Sequence, residues 1–217
     1  MLVVSLSKRI ECLPEALELV REGWPDWFAW DGLERLGQVL RSFPDTQLLG
    51  FEGPELVAVA NAVTVPFDRP LAQLPDTGWD WAVDSAGPGP TLVALAVTVA
   101  KAHRGRGFSR VMLKALADLR REQGCDRLVV AVRPNAKPRE VSFDAWVAQA
   151  RSDGLPADPW LRTHVRLGAQ VLHTCHRSMS LSWPASRGPA VGLLAPVEIR
   201  DGRAHYVEPN VWVVHQA

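Results

Sequence analysis

The chain has 217 residues, enough to bury a sizeable core within one large domain. Its 24 basic and 24 acidic residues cancel, so no global field draws it to nucleic acid or to an anionic membrane. Three widely spaced cysteines, Cys12, Cys125 and Cys175, exclude a disulfide framework and point to a reducing compartment.

Met1 to Leu6 is too short an apolar run for a signal peptide, and its charges, Lys8 and Arg9, follow it instead of preceding it. No apolar run reaches the roughly 18 residues of a membrane span. A cytoplasmic protein is therefore expected, and the arginine-dominated basic set with abundant Ala, Gly and Pro suggests a GC-rich bacterial genome. Val3 to Ser7 alternates as a short strand does, and Pro14 suits the first turn of a helix over Glu15 to Arg21. An aromatic segment, Trp24, Trp27, Phe28 and Trp30, precedes a second helix over Gly32 to Arg41. Gln47 to Phe51 and Leu56 to Val65 read as a hairpin turning at Glu52-Gly53-Pro54. Pro66 to Pro90 reads as a loop with one short helix near Trp79 to Asp84.

Thr91 to Val99 is an almost unbroken apolar run, as a strand buried on both faces requires. It leads into Lys101-Ala-His-Arg104-Gly105-Arg106-Gly107-Phe108-Ser109-Arg110, a glycine-punctuated, arginine-rich turn built to hold a diphosphate. Amides at a helix start lack intrahelical partners and carry the positive end of the dipole. Gly105 and Gly107 let that backbone approach an anion, and Arg104, Arg106 and Arg110 add cations suited to phosphate oxygens. Ser109 is the expected N-cap. Val111, Met112, Ala115, Leu116 and Leu119 then recur at helical spacing, Gly124 stops the helix, and Leu128 to Val132 forms a second buried strand. Strand, loop, helix and parallel strand make one right-handed crossover unit.

A Walker A loop is excluded because no Gly-Lys pair exists, and the dinucleotide fingerprint fails because Arg110 stands at its third glycine. The pattern R-x-x-G-x-[GA] fits as Arg104-Gly-Arg-Gly107-Phe-Ser109, with Val99 five residues upstream and serine in place of the final small residue. This resembles the pyrophosphate loop of the GNAT superfamily of acyl-CoA-dependent N-acyltransferases, and the order of elements over about the first 170 residues is similar to that family's. The resemblance implies an α/β fold with a twisted mixed central sheet flanked by helices, here one domain over 1–217. It implies acetyl-CoA or another coenzyme A thioester as co-substrate and a small-molecule or protein amine as acceptor. Val97 and Val99 would pair with the pantetheine arm, residues 104–110 would hold the diphosphate, and Asn135 would touch the cofactor. Trp27 and Trp30 would line the acceptor side, with core packing as the alternative.

Residues 136–157 form an insertion larger than the family usually carries, with a helix over Val141 to Arg151 that could pack or act as a lid. Trp160 to Gly168 resembles the family's helix ending in a Leu-Gly pair, where a tyrosine commonly protonates the departing thiolate. This chain has a histidine there, His164, the candidate general acid. The strand before the loop carries no ionisable side chain, so the base is unassigned among Glu52, Asp84 and Glu208. That absence also supports an alternative, a non-catalytic acyl-CoA-binding module or sensor. His173, Cys175 and His176 do not amount to a metal site, since alternation sends His176 to the opposite face. Val171 to Trp183, Val191 to Arg200 and His205 to His215 complete the strands, the last two joined at Asp201-Gly202. A homodimer is left open.

Overall fold

The computed structural model describes residues 1–29, 32–188 and 190–215 and builds them on an eight-stranded mixed sheet. In chain order come β1 (Leu2–Ser5), α1 (Leu13–Gly23), α2 (Asp26–Ala29), α3 (Gly32–Ser42), β2 (Gln47–Glu52), β3 (Glu55–Val65), α4 (Gly78–Asp84) and β4 (Thr91–Val99). There follow α5 (Phe108–Glu122), β5 (Arg127–Val132), α6 (Phe143–Ala148), α7 (Pro159–Arg166), β6 (Ala169–Pro184), β7 (Val197–Arg200) and β8 (Arg203–His215). The strands lie in the order β1-β2-β3-β4-β5-β8-β6, with β7 on the free stretch of β8 beyond β5. Among the described residues only β4 and β5 are parallel neighbours, as a crossover through α5 demands.

Alternation along each strand divides the core in two. On one face, Val93 and Leu95 of β4, Val129 and Ala131 of β5, and Tyr206, Trp212 and Val214 of β8 pack with α1, α3 and α4. On the other, Leu92 and Ala94, Val130 and Val132, and Val211 and Val213 pack with α5 and α7. Two irregularities break this order where the chemistry will sit. Asn61 opposes Ala96 while Ala62 opposes Ala94, so Leu95 is an extra residue, and beyond this bulge Val97 and Val99 take the α5 face. Pairing of β4 with β5 also stops at Ala94 and Val130, so the remaining residues of the two strands diverge into a notch.

The helix starts depart from the sequence expectation in one place. Gly107, at φ 84°, is the N-cap of α5, and Ser109 lies inside the first turn without a capping bond. The chain enters α5 through a left-handed residue, which glycine adopts without steric cost and serine does not. Asp158 caps α7, accepting from the Trp160 and Leu161 amides at 2.9 and 3.0 Å. Its second oxygen accepts from the amides of Asn135 and Ala136 and from Trp146 Nε1, which ties the insertion to α7. The insertion helix is shorter than the periodicity predicts, Phe143–Ala148, because the chain turns back at Ala150 to bridge Pro156. The run expected from Val191 is a strand only over Val197–Arg200, since the Gly192 and Pro196 breaks leave the preceding residues as loop. Among the described residues no helix is long and apolar enough to cross a membrane.

Candidate active site

The notch between β4 and β5 opens into a cavity of about 740 Å³ lined from both faces of the sheet. From the α5 face come Arg104, Gly105, Gly107, Phe108, Ser109 and Arg110, with Leu113 of α5 and Trp160, Thr163, His164 and Arg166 of α7. From the α1 face come Gly23, Trp24, Pro25, Trp79, Met179 and Asn210. Residues 94–99 and 130–133 form the walls between them. Two reactants can therefore meet in the plane of the sheet after entering from opposite sides. At the meeting point stands Leu95, and a bulge leaves its extra residue outside the hydrogen-bond ladder.

The loop at the α5 end is shaped for an anion. Gly105 and Gly107 have φ values of 78° and 84°. No heavy atom lies within 4 Å of a Cβ built on Gly105, and only the Arg110 guanidinium, 3.4 Å away, meets one built on Gly107. This open, left-handed backbone at a helix start is a concavity of N–H groups, and a diphosphate fits it. Arg104 is held by its Nε on Val99 O at 3.2 Å, leaving the rest of its fork available. Arg106 behaves differently. It pairs with both oxygens of Glu52 at 2.6 and 2.8 Å, lies over Phe108, and is absent from the cavity lining.

His164 lies on the cavity wall fully buried, its Nδ1 2.9 Å from His215 Nε2. Its Nε2 has no partner among the described residues. Burial, reinforced by His215, pushes its pKa down to about 3. The imidazolium expected from the sequence is thus replaced by a neutral ring, because α7 seals the side chain from water.

At the other end, Arg133 donates Nε to Glu208 at 2.8 Å and Nη2 to the carbonyl of Gly192 at 2.6 Å. Its Nη1 has no hydrogen-bond partner among the described residues. Glu208 is fully buried and also accepts the Tyr206 hydroxyl at 2.6 Å, and burial raises its pKa. Asn210 donates Nδ2 to Ala131 O at 2.9 Å, while its Oδ1 and Trp79 Nε1 are sealed and unpartnered among the described residues.

A family model described as the acetyltransferase (GNAT) family matches residues 11–143, more than half of the chain. The chain belongs to the GNAT family. It is 33% identical to the arginine N-acetyltransferase avaD of Aspergillus versicolor, the match covering 72% of this chain and 70% of that protein. The loading GNATL domain of CurA from Lyngbya majuscula superposes with a TM-score of 0.71 at 16% identity, covering 95% of this chain and 94% of that one. The GphF GNAT-like decarboxylase, solved in complex with isobutyryl-CoA, gives 0.64 at 18% identity, covering 93% and 95%. The protein is an acyl-CoA-dependent N-acyltransferase, with a coenzyme A thioester as donor and an amine as acceptor.

Within this GNAT fold the cavity gathers Val97, Val99, Arg104, Gly105, Gly107, Phe108, Ser109, Arg110, Asn135 and His164. It leaves out Arg106 and Trp27. Trp27 is buried in the core, donating Nε1 to Val191 O at 2.9 Å and packing edge-on against Tyr206, as the core-packing alternative has it. Trp30 lies outside the described residues. None of the three candidate bases reaches the wall: Glu52 is taken by Arg106, Asp84 by Arg35, and Glu208 is one residue behind Arg133. His173 and His176 bond instead to Leu74 O and the Thr174 hydroxyl, and Cys175 is a buried thiol pushed up to about 12. Arg133, Asn210, Trp79 and Met179 were not among the predicted site residues. A signal existed for Asn210 alone, in the polar Glu208-Pro209-Asn210 step just before the apolar run Val211 to Val214.

Proposed function

We propose that the enzyme transfers an acetyl group from acetyl-CoA to the α-amino group of a small amino acid with a cationic side chain, arginine being the first candidate. The observation that carries this reading is Arg133, whose unused Nη1 belongs to a guanidinium oriented by Glu208 and Gly192 on the acceptor wall. A held guanidinium recognises a carboxylate well. Trp24 on the same wall suits the cationic end of such a substrate. The similarity to an arginine N-acetyltransferase supports the same acceptor class.

In this reading the backbone of Val97 and Val99 pairs with the pantetheine arm, and Asn135 stands at the mouth. The Gly105 and Gly107 amides, the start of α5 at Phe108 and Ser109, and the guanidiniums of Arg104 and Arg110 hold the diphosphate. The amine attacks the thioester carbonyl, the C–N bond forms, and the C–S bond breaks with its electron pair on sulfur. The negative charge on the carbonyl oxygen meets the ladder-free backbone at Leu95, and the departing sulfur meets His164. Among the described residues no carboxylate lines the cavity, so the acceptor must arrive deprotonated or lose its proton to water. An α-ammonium gives up that proton far more readily than a guanidinium, whose pKa lies above 12.

Three acceptors test this, with thiol release as the readout. Arginine should turn over, Nα-acetylarginine should not, and agmatine, which keeps the amine but lacks the carboxylate, should show a KM at least ten-fold higher at similar kcat. Equal KM for arginine and agmatine would remove Arg133 from acceptor binding, and turnover of the Nα-blocked compound would move the reaction to another nitrogen.

A further inference from the structure

His215 is joined to the site by geometry alone. It lies on β8 at the same alternation as Val211 and Val213, and so faces α7 on the donor side of the sheet. There its Nε2 is 2.9 Å from Nδ1 of His164, a residue of the cavity lining whose opposite nitrogen, Nε2, is buried and unpartnered among the described residues. Two neutral rings share one hydrogen bond only if one donates and the other accepts. If His215 donates, His164 must carry its proton on Nε2, as a donor where the leaving sulfur departs. His215 keeps 7% of its surface exposed, and Nδ1 is its outer nitrogen, the one turned from His164.

We propose that His164 and His215 form a two-imidazole relay that carries a proton from solvent to the thiolate leaving group, with His215 as the positioning and reloading partner. When the C–S bond breaks, sulfur takes the Nε2 proton of His164. Nδ1 of His164 takes the Nε2 proton of His215, and Nδ1 of His215 takes one from water. Each ring ends neutral in its other tautomer, one of the two protons leaving the ammonium nitrogen balances the one gained by sulfur, and a proton given by the next acceptor to Nε2 of His164 and passed outward through Nδ1 of His215 to water restores the starting tautomers. A single neutral imidazole would have to become an anion to do this. Concerted transfer removes that cost and never needs a buried imidazolium. Burial lowers the pKa of both rings, in keeping with a relay that stays uncharged.

The inference rests on the acyl-transfer reading of this cavity, and its test separates the two. Glutamine at position 215 can still donate one hydrogen bond to His164 but cannot pass a proton through. In single-turnover thiol release with saturating amine, His215→Gln should slow the reaction about 10- to 100-fold, with CoA affinity and acceptor KM within two-fold of the parent. His164→Gln should do the same, and the double variant should be no slower than the worse single, because a broken relay cannot be broken twice. Imidazole added to a His215→Ala variant should restore part of the rate. A His215→Gln enzyme at parental rate, or a double variant whose losses multiply, would overturn the relay while leaving His164 in place. Parental rates in both single variants would remove His164 from the reaction as well.

Discussion

A histidine sealed among apolar side chains reports its charge state through stability. Unfolded, His164 titrates near 6.5; folded, at about 3. Between those values the unfolded chain binds a proton that the folded chain refuses, so stability falls as pH is lowered through 6.5 and the contribution vanishes above it. At pH 5 the deficit is about 2 kcal/mol. His215, also lowered by burial, adds in the same direction. Glu208, raised by burial, works in the opposite one, so the informative quantity is the difference between parent and variant. His164→Gln should narrow the loss of melting temperature between pH 7 and pH 5; parallel curves for the two proteins would contradict a buried neutral ring. His164 could be singled out from sequence because a helix ending in Leu-Gly frames it. Its partner could not, since the two are 51 residues apart and meet only through the register of β8 against β5 and β6. Trp27 shows the converse: aromatic residues fill cores and line clefts, and only packing tells which. Here it packs edge-on against Tyr206.

The crossover is the most legible element of the chain. A nine-residue strand, Thr91–Val99, is buried along most of its length, and its continuous apolar run announces that directly. What periodicity does not carry is how far two strands stay paired, and the notch exists because β4 and β5 separate after Ala94 and Val130. The bulge at Leu95 is equally silent, since an extra residue changes which face Val97 takes without changing its hydrophobicity. Asp158 shows how an element without a strong pattern is fixed. The carboxylate satisfies five donors, two at the start of α7, two at Asn135 and Ala136, and the Trp146 indole. Asp158→Ala would strand these amides and remove the cap of the helix that carries His164, costing about 3 kcal/mol. A fall of roughly 6 to 12 °C in melting temperature is expected, with turnover falling further than CoA affinity. Asp158→Asn keeps an acceptor for the cap and should lose less than half as much. Equal losses for the two variants would mean that packing at this position, and not hydrogen bonding, holds the insertion.

At the scale of the whole molecule, zero net charge and a basic cavity coexist because the charges are sorted, not balanced locally. Among the described residues every charged or titratable side chain on the cavity wall is of the basic type: His103, Arg104, Arg110, Arg133, His164 and Arg166. Arg133 is neutralised from behind by Glu208, and His164 is held neutral, so the remaining field concentrates at the α5 end, where the diphosphate is proposed to lie. The acidic residues near that end, Glu52 and Glu55, lie outside the cavity lining against Arg106 and His103, and leave Arg104 and Arg110 without a carboxylate partner among the described residues. Such a field is local and partly solvent-exposed, so it should be screened as the Debye length contracts from about 10 Å at 0.1 M salt to about 3 Å at 1 M. Acetyl-CoA should therefore lose affinity about ten-fold across that range, measured by calorimetry with the acceptor absent. Acetyl-pantetheine, which has the thioester arm but no diphosphate, should bind more weakly at low salt and change less than two-fold, since the notch between β4 and β5 offers it backbone and apolar contacts alone. If both donors responded to salt with the same slope, the glycine loop and its arginines would not be the diphosphate site, and the anion would have to be held where charge does not reach.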